Sequence, residues 1–375
     1  MRLAWCRVAT DLSDRIDDTA VLIDELRSHH DITCVDRRTL HDLVRLSFRQ
    51  PFDLHVFELA DTEDDEVVWP YVMHYPGIVR VRSRSLHHSR AASLVRQRRG
   101  GDRKAELAFG NGDLSAAPIL ASRVVVVSDE YRAAALQGAY PGARIRVAPI
   151  GLRKGGTGAG GKRPDEKAEK TGAFVRVGVL AHPLRHTIVN AVQRASESGA
   201  RIELVPDTSP DRVLDESDIV LHLPWPPRDD LTPAIAALAA SRPLVIVESE
   251  SSAGWPSLDP QTWQPRGFDT ANAPIAIAID PRDEEHSLML ALRRLAADAS
   301  VRRDLATAAH AWWSARATVD HAVAAWQSIL QDAAAIAPPA HPPGWPPHLT
   351  ADGTERAREL LGEFGVSVDF LEETS

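Results

Sequence analysis

The feature that most constrains this chain is an alternation of strands and helices that runs, stops and then starts again. Arg2–Thr10, Ile32–Val35 and Phe52–Leu59 read as strands. Between them, Asp17–His30 carries Val21, Leu22 and Leu26 at helical spacing, and Leu40–Phe48 carries Leu40, Leu43, Val44 and Leu46. Pro76-Gly77 is a turn signal leading into the strand Ile78–Val81, and RVVVV at Arg123–Val127 is the clearest strand of all. Helix Tyr131–Gln137 and strand Arg144–Ala148 complete the run. Strands separated by helices pair in parallel, and a parallel sheet needs cover on both faces. GLRKGGTGAGGKRPDEKAEKTG, Gly151–Gly172, then offers almost nothing to pack and reads as a linker or exposed loop.

The rhythm resumes with strand Phe174–Ala181, helix Thr187–Ser196, strands Arg201–Val205 and Asp218–Leu223, helix Thr232–Ala240, and strands Pro243–Val247 and Pro274–Ile279. Leu288, Leu292 and Leu295 share one face of a closing helix; Val319, Val323, Trp326 and Leu330 share a face of another. Proline bars APPAHPPGWPP from any helix, and Asp352–Phe364 reads as one amphipathic helix. The expected division is a first α/β Rossmann-like domain over 1–150, a linker over 151–172, a second domain with closing helices over 173–335, and a proline-rich segment with a C-terminal helix over 336–375.

A net charge of −9 argues against the broad basic face of a nucleic-acid binder. No apolar run approaches the roughly 20 residues of a membrane span, so at most peripheral membrane association is expected. MRLAWCRVATDLSDRID lacks the apolar core of a secretory signal, which implies a cytoplasmic protein. Cys6 and Cys34 lie on strands without disulfide or metal spacing and are expected to fill the core. Thr62–Glu66 reads as a solvated helix start. GTGAGG, Gly156–Gly161, fails as a phosphate loop because no strand precedes it and no helix follows.

FDLHVFEL, WPYVMHYPGIVRV and SLHH, followed by DIVLHLPWPP with ALAASRPLVIVES and then AAHAWWSARATVDHAVAAWQSIL, resemble in this order segments of bacterial glycosyltransferases of the GT-B fold, family 4 type. The likeness covers about Arg2–Leu330. It implies two Rossmann-like domains whose parallel sheets face a central cleft. A nucleotide-diphosphate sugar would bind the second domain as co-substrate, and a glycan, lipid-linked or small-molecule acceptor would bind the first. Helix N-termini and basic side chains would neutralise the departing diphosphate, with no cofactor or metal required.

The resemblance assigns catalysis to Asp229 or Asp230 and to Arg82. It assigns donor binding to Arg185, where the family keeps a phosphate-binding lysine or arginine, together with His182, Thr187, Trp225 and Thr232. The acceptor side holds Arg15, Arg84, His87 and His88. This chain also departs from the family. Asp14-Arg15-Ile16-Asp17-Asp18-Thr19 replaces a glycine-rich turn, so Arg15 stands where glycine lets phosphate approach the backbone. Arg82-Ser83 replaces His-Asp, Pro224 stands where a basic residue is common, and Ala236 takes the place of a ribose-binding carboxylate.

Each assignment has a plainer alternative. Arg185 is otherwise a solvated surface arginine, and His87 and His88 otherwise cap or pack against a helix. Trp225 and Trp255 offer faces for a base or sugar ring, or simply pack. Arg80, Arg82, Arg84 and Arg90, with the two histidines, form either a positive wall for an anion or the exposed face of a strand. Two functions from different classes follow: a sugar transferase acting with retention, or a catalytically degenerate relative that binds nucleotide, glycan or a partner protein. An epimerase of the same architecture would need an acid–base pair that the sequence does not supply.

Overall fold

The computed structural model describes residues 1–8, 16–83, 85–154, 174–180, 185–206, 209–225, 230–266, 272–351 and 360–365. The first half builds β1 (Arg2–Cys6), α1 (Asp18–Leu26), β2 (Asp31–Val35), α2 (Asp42–Arg49), β3 (Leu54–Leu59), α3 (Trp69–His74), β4 (Ile78–Val81), α4 (His87–Arg96), α5 (Gly100–Phe109), α6 (Ala116–Ala121), β5 (Val124–Val127), α7 (Glu130–Ala139) and β6 (Ile145–Val147). All six strands are parallel, in the order β2-β1-β3-β4-β5-β6. The apolar runs that announce these strands are the price of that layout, since helices cover both faces and leave Val124–Val127 wholly buried.

The second half builds β7 (Val175–Val179), α8 (His186–Glu197), β8 (Ile202–Leu204), α9 (Pro210–Glu216), β9 (Ile219–His222), α10 (Thr232–Ala239), β10 (Leu244–Val247), β11 (Ser257–Leu258), β12 (Pro265–Arg266), β13 (Ala276–Ile279), α11 (Glu284–Ala297), α12 (Ala299–Arg316) and α13 (Val319–Ala335). Its sheet runs β12-β11-β13-β10-β9-β7-β8, parallel except for the short β11–β12 hairpin. Each sheet reverses direction beside its first strand, between β1 and β3 and between β7 and β9. In open α/β sheets ligands bind outside the carboxyl ends of the strands at such switch points.

The last helix does not stay with the second half. In α13, Trp326, Ile329, Leu330 and Ala333 pack among Leu3, Trp5, Leu22, Leu26, Leu54 and Val56 of the first sheet and α1, and the rings of Trp5 and Trp326 lie 4.9 Å apart. Its apolar face was legible in the sequence, but not the layer it covers. Gly151 allows the return: a Cβ there would sit 2.4 Å from the Ala322 side chain. The proline-rich segment also lies on the first half. Trp345 meets Phe109 edge-on at 5.3 Å, and Leu349 enters the first core.

Some expectations fail for physical reasons. Cys6 is buried, but Cys34 is exposed because β2 is an edge strand. Asp65 is not solvated: it is buried, its carboxylate accepts the N–H groups of Ala60 and Thr62 at 2.8 and 2.9 Å, and burial pushes its carboxyl up to about 6. The sequence reading found no helix between residues 87 and 121. There α4 buries Ser89, Arg90, Ser93 and Leu94, and α5 buries only Glu106, so neither shows an apolar stripe. They are joined instead by two bonds from Arg90 to Glu106, at 2.9 and 2.6 Å. Among the described residues no helix is long and apolar enough to cross a membrane.

Candidate functional site

The carboxyl ends of β1, β3 and β4 bring charged residues together under the N-terminus of α1. Asp17 caps that helix by accepting the Ala20 N–H at 2.9 Å, and Asp18 opens its first turn. Arg80 projects from β4 and Glu58 from β3, both deeply buried in otherwise apolar strands. Charge in such a place must be paired. Arg80 donates to Asp18 Oδ2 at 2.5 Å, to Glu58 Oε1 at 3.1 Å and to the Thr19 hydroxyl at 2.9 Å. Trp5 Nε1 and the Thr19 hydroxyl also donate to Glu58, at 3.1 and 2.9 Å, and Arg7 donates to Asp17 at 2.7 Å.

Arg82 follows β4 and carries this network across the cleft. It donates to Asp18 Oδ1 at 2.9 Å, while its other amino group reaches the Thr232 hydroxyl at 3.4 Å and lies 3.8 Å from Asp230 Oδ1 in the second half. Arg132 makes a second bridge, donating to the Arg82 carbonyl at 3.1 Å and to the Ser251 hydroxyl at 2.9 Å. Burial alone would raise the Asp18 carboxyl, but the Arg82 and Arg80 guanidiniums outweigh it and hold the group well below the usual carboxylate range. Glu58 is lowered against its burial by the same two arginines and by Arg7. Burial opposes the charge on Arg82, yet Asp18, Glu58 and Asp230 raise its pKa further.

The second half presents a different face. His222 ends β9 and donates from Nε2 to the Asp230 carbonyl at 3.1 Å; its Nδ1 is buried without a hydrogen-bond partner among the described residues. Burial lowers its pKa, with Asp230 opposing. The Asp230 carboxylate accepts the Thr232 N–H at 3.0 Å, fixing the entry to α10. Arg185 caps α8 in extended backbone. Its guanidinium grips Glu284 through two bonds, one of 2.8 Å, donates to the Leu223 carbonyl at 3.1 Å, and lies 5.6 Å from the centre of the Trp225 ring. Trp225 is 59% exposed. A helix N-terminus, a guanidinium and an open indole face together suit an anionic group carried on a ring.

Of the residues expected from the sequence, Arg82, Asp230 and Thr232 meet at the cleft, and Arg185 and Trp225 meet beside it. Thr187 is half-buried in the first turn of α8. His87 accepts the Leu114 N–H at 3.3 Å, and exposed His88 lies 3.0 Å from Asp61. Both therefore have local partners at the start of α4. Asp229, His182, Arg15 and Arg84 lie outside the described residues. Arg80 and Arg90 do not form a positive wall, because both are buried and ion-paired. Trp255 packs in the second core, 5.3 Å from Trp312. Glu58, Arg132, Ser251 and His222 were missed. Glu58 and Arg80 did carry a signal, as charges in strands that are otherwise mostly apolar.

Asp18, in the segment Asp14–Thr19, is the carboxylate that binds Arg82.

No family model matches the chain, and no curated protein matches it by sequence. Solved structures do match it. One is the glycotransferase of kitacinnamycin, 13% identical, with a TM-score of 0.51, covering 88% of this chain and 99% of that one. HepE of Anabaena in complex with UDP is 11% identical with a TM-score of 0.54, covering 88% and 100%. HepE with UDP and glucose is 12% identical with a TM-score of 0.52, covering 88% and 99%. These likenesses show the fold, which is GT-B: two Rossmann-like domains with parallel sheets.

Proposed function

We propose that this protein transfers a sugar from a nucleotide-diphosphate sugar to an acceptor hydroxyl, as a family 4 type enzyme acting with retention. The observation that carries this reading is the pairing of Arg185, at the N-terminus of α8, with the open face of Trp225 beside the cleft. In a GT-B fold this is the donor half, and solved chains similar to this one hold UDP. Arg185 and α8 receive the diphosphate, Trp225 stacks on the donor, and Asp230 with Asp229 orients the sugar. His182, Thr187 and Thr232 complete the donor side.

The state of the described residues of the first half supports retention. An inverting displacement needs a free base at the acceptor hydroxyl. Asp18 and Glu58 are poor bases because arginines hold them ionised. In the retaining route the acceptor oxygen bonds to the anomeric carbon on the face that the leaving group vacates. The bond from that carbon to the phosphate oxygen breaks, and the acceptor proton passes to that phosphate oxygen. Arg185 and the helix N-terminus stabilise the departing charge, so this route asks for no metal. Arg82 fixes the two halves in register for the transfer.

The test is turnover by Arg185→Ala with a panel of nucleotide sugars. A drop of about 100-fold or more is expected, and full activity would remove Arg185 from the mechanism. The hold of Glu284 on Arg185 favours a second reading, in which nucleotide binds without transfer. Nucleotide binding with neither sugar transfer nor donor hydrolysis would establish it.

A further inference from the structure

Beside the cleft, between α1 and the carboxyl end of β2, lies a pocket of about 380 Å³. Trp5, Ile23 and Val35 give it an apolar floor, and all three are buried side chains of the first core or sheet. Its walls are of another kind. Arg7, Arg27, Arg37 and Arg38 line it, against the carboxylates of Asp24 and Asp36 alone. In a chain of net charge −9 this local excess of guanidinium runs against the whole.

Of these carboxylates Asp36 is engaged and Asp24 is mostly exposed. Asp36 accepts the backbone N–H groups of Arg38 and Thr39, both at 2.9 Å. Asp24 makes one long, exposed contact of 3.4 Å with Arg27. Arg7 is paired with Asp17 and Arg37 with Asp64, outside the pocket. The Arg38 guanidinium has no hydrogen-bond partner among the described residues, and Asp36 is the charge beside it. An apolar floor beneath a guanidinium that makes no hydrogen bond among the described residues fits a small molecule with an apolar body and one anionic head.

One wall of the pocket, Arg7, also belongs to the ionic network that reaches the cleft. It lies 3.9 Å from Glu58, which lies 3.8 Å from Arg82, the residue that reaches Asp230 and Thr232. We propose that this pocket is the acceptor site and that the acceptor is a hydroxyl-bearing organic acid: its apolar body lies on Trp5, Ile23 and Val35, its acid faces Arg38 and Arg27, and its hydroxyl points toward Arg82. Only the word acceptor rests on the transferase reading; the binding itself does not.

Cys34 lines the pocket and is exposed, whereas Cys6 is buried, so one thiol reports occupancy. The experiment measures the rate at which the full chain reacts with iodoacetamide, without nucleotide or donor, in rising hydroxynaphthoate or its uncharged methyl ester. Cys34→Ser supplies the blank. The acid is expected to slow alkylation at least tenfold at saturation and to bind roughly tenfold more tightly than the ester. Arg38→Glu, an exposed position, is expected to remove that preference while leaving the near-ultraviolet circular dichroism unchanged. Equal protection by acid and ester, no protection by either, or an unchanged preference in Arg38→Glu overturns the proposal. Loss of turnover in Arg185→Ala without acid-dependent protection would leave the transferase standing and remove only this site.

Discussion

The two faces of the cleft solve opposite problems. The face on the first sheet is an ionic lattice, Asp17, Asp18 and Glu58 against Arg7, Arg80 and Arg82, with its charges matched inside the protein. The face on the second sheet is largely apolar: α10 is TPAIAALA, buried at every position but Pro233, and among the described residues the polar groups stand at the ends of β9, α8 and α10. A matched lattice holds its own geometry and has little charge left for a ligand. At the N-terminus of α8 no side chain among the described residues caps the backbone N–H groups, while Arg185 itself is held by Glu284. In the function proposed above, the first face is the frame and the second receives the donor diphosphate.

That contrast can be broken most forcefully at Arg80. Arg80→Met leaves Asp18 and Glu58 buried with one fewer guanidinium and is expected to cost about 3–5 kcal/mol in denaturant unfolding. The partly buried counterpart Glu284→Ala should cost about 1–3 kcal/mol. Equal costs would remove the distinction between frame and receiver. Trp326→Ala should cost about 3–5 kcal/mol as well, and probes in the first half should lose stability before probes in the second. A loss confined to the second half would return α13 to that domain.

The next effect is read with pH. His55 lies among Phe52, Phe57 and Tyr75, and burial, with Arg123 nearby, lowers its imidazole to about 4. A histidine with a depressed pKa folds best neutral, so its contribution is full above 6.5 and is lost as pH falls toward 4. His222 has the same sign in the second half, whereas raised Asp65 has the opposite sign. His55→Phe should therefore retain on the order of 2 kcal/mol more of its neutral-pH stability at pH 4 than the parent. Identical acid profiles would contradict it. Asp18 acts lower still: its stabilisation is present above the ordinary carboxylate pKa and disappears only as pH falls through its depressed value. The smallest effect belongs to the bridges. Thr232→Val and Ser251→Ala are each expected to change stability by about 1 kcal/mol or less.

What the sequence disclosed follows the same division. Apolar strands and amphipathic helices were legible because burial on a sheet imposes a period of residues. The α4–α5 pair was not, because Arg90 and Glu106 replace the apolar stripe that would reveal it. Arg82, Asp230 and Thr232 were named from the resemblance, but Asp18 and Arg132, their links through the cleft, are distant in sequence and leave no local pattern. Glu58 and Arg80 were readable in principle, since a charge inside LHVFEL or IVRV implies a buried partner. Which partner, only the strand order β1-β3-β4 decides.

The central claim, that the second face receives a nucleotide diphosphate, is tested most directly by thermal shift of the full chain against UDP, GDP, ADP and dTDP, with Arg185→Ala and Trp225→Ala alongside. One nucleotide is expected to raise the melting temperature of the parent, because a ligand that binds only the folded state stabilises it, and both variants are expected to lose most of that rise. No rise with any nucleotide, or a rise undiminished in Arg185→Ala, would contradict it.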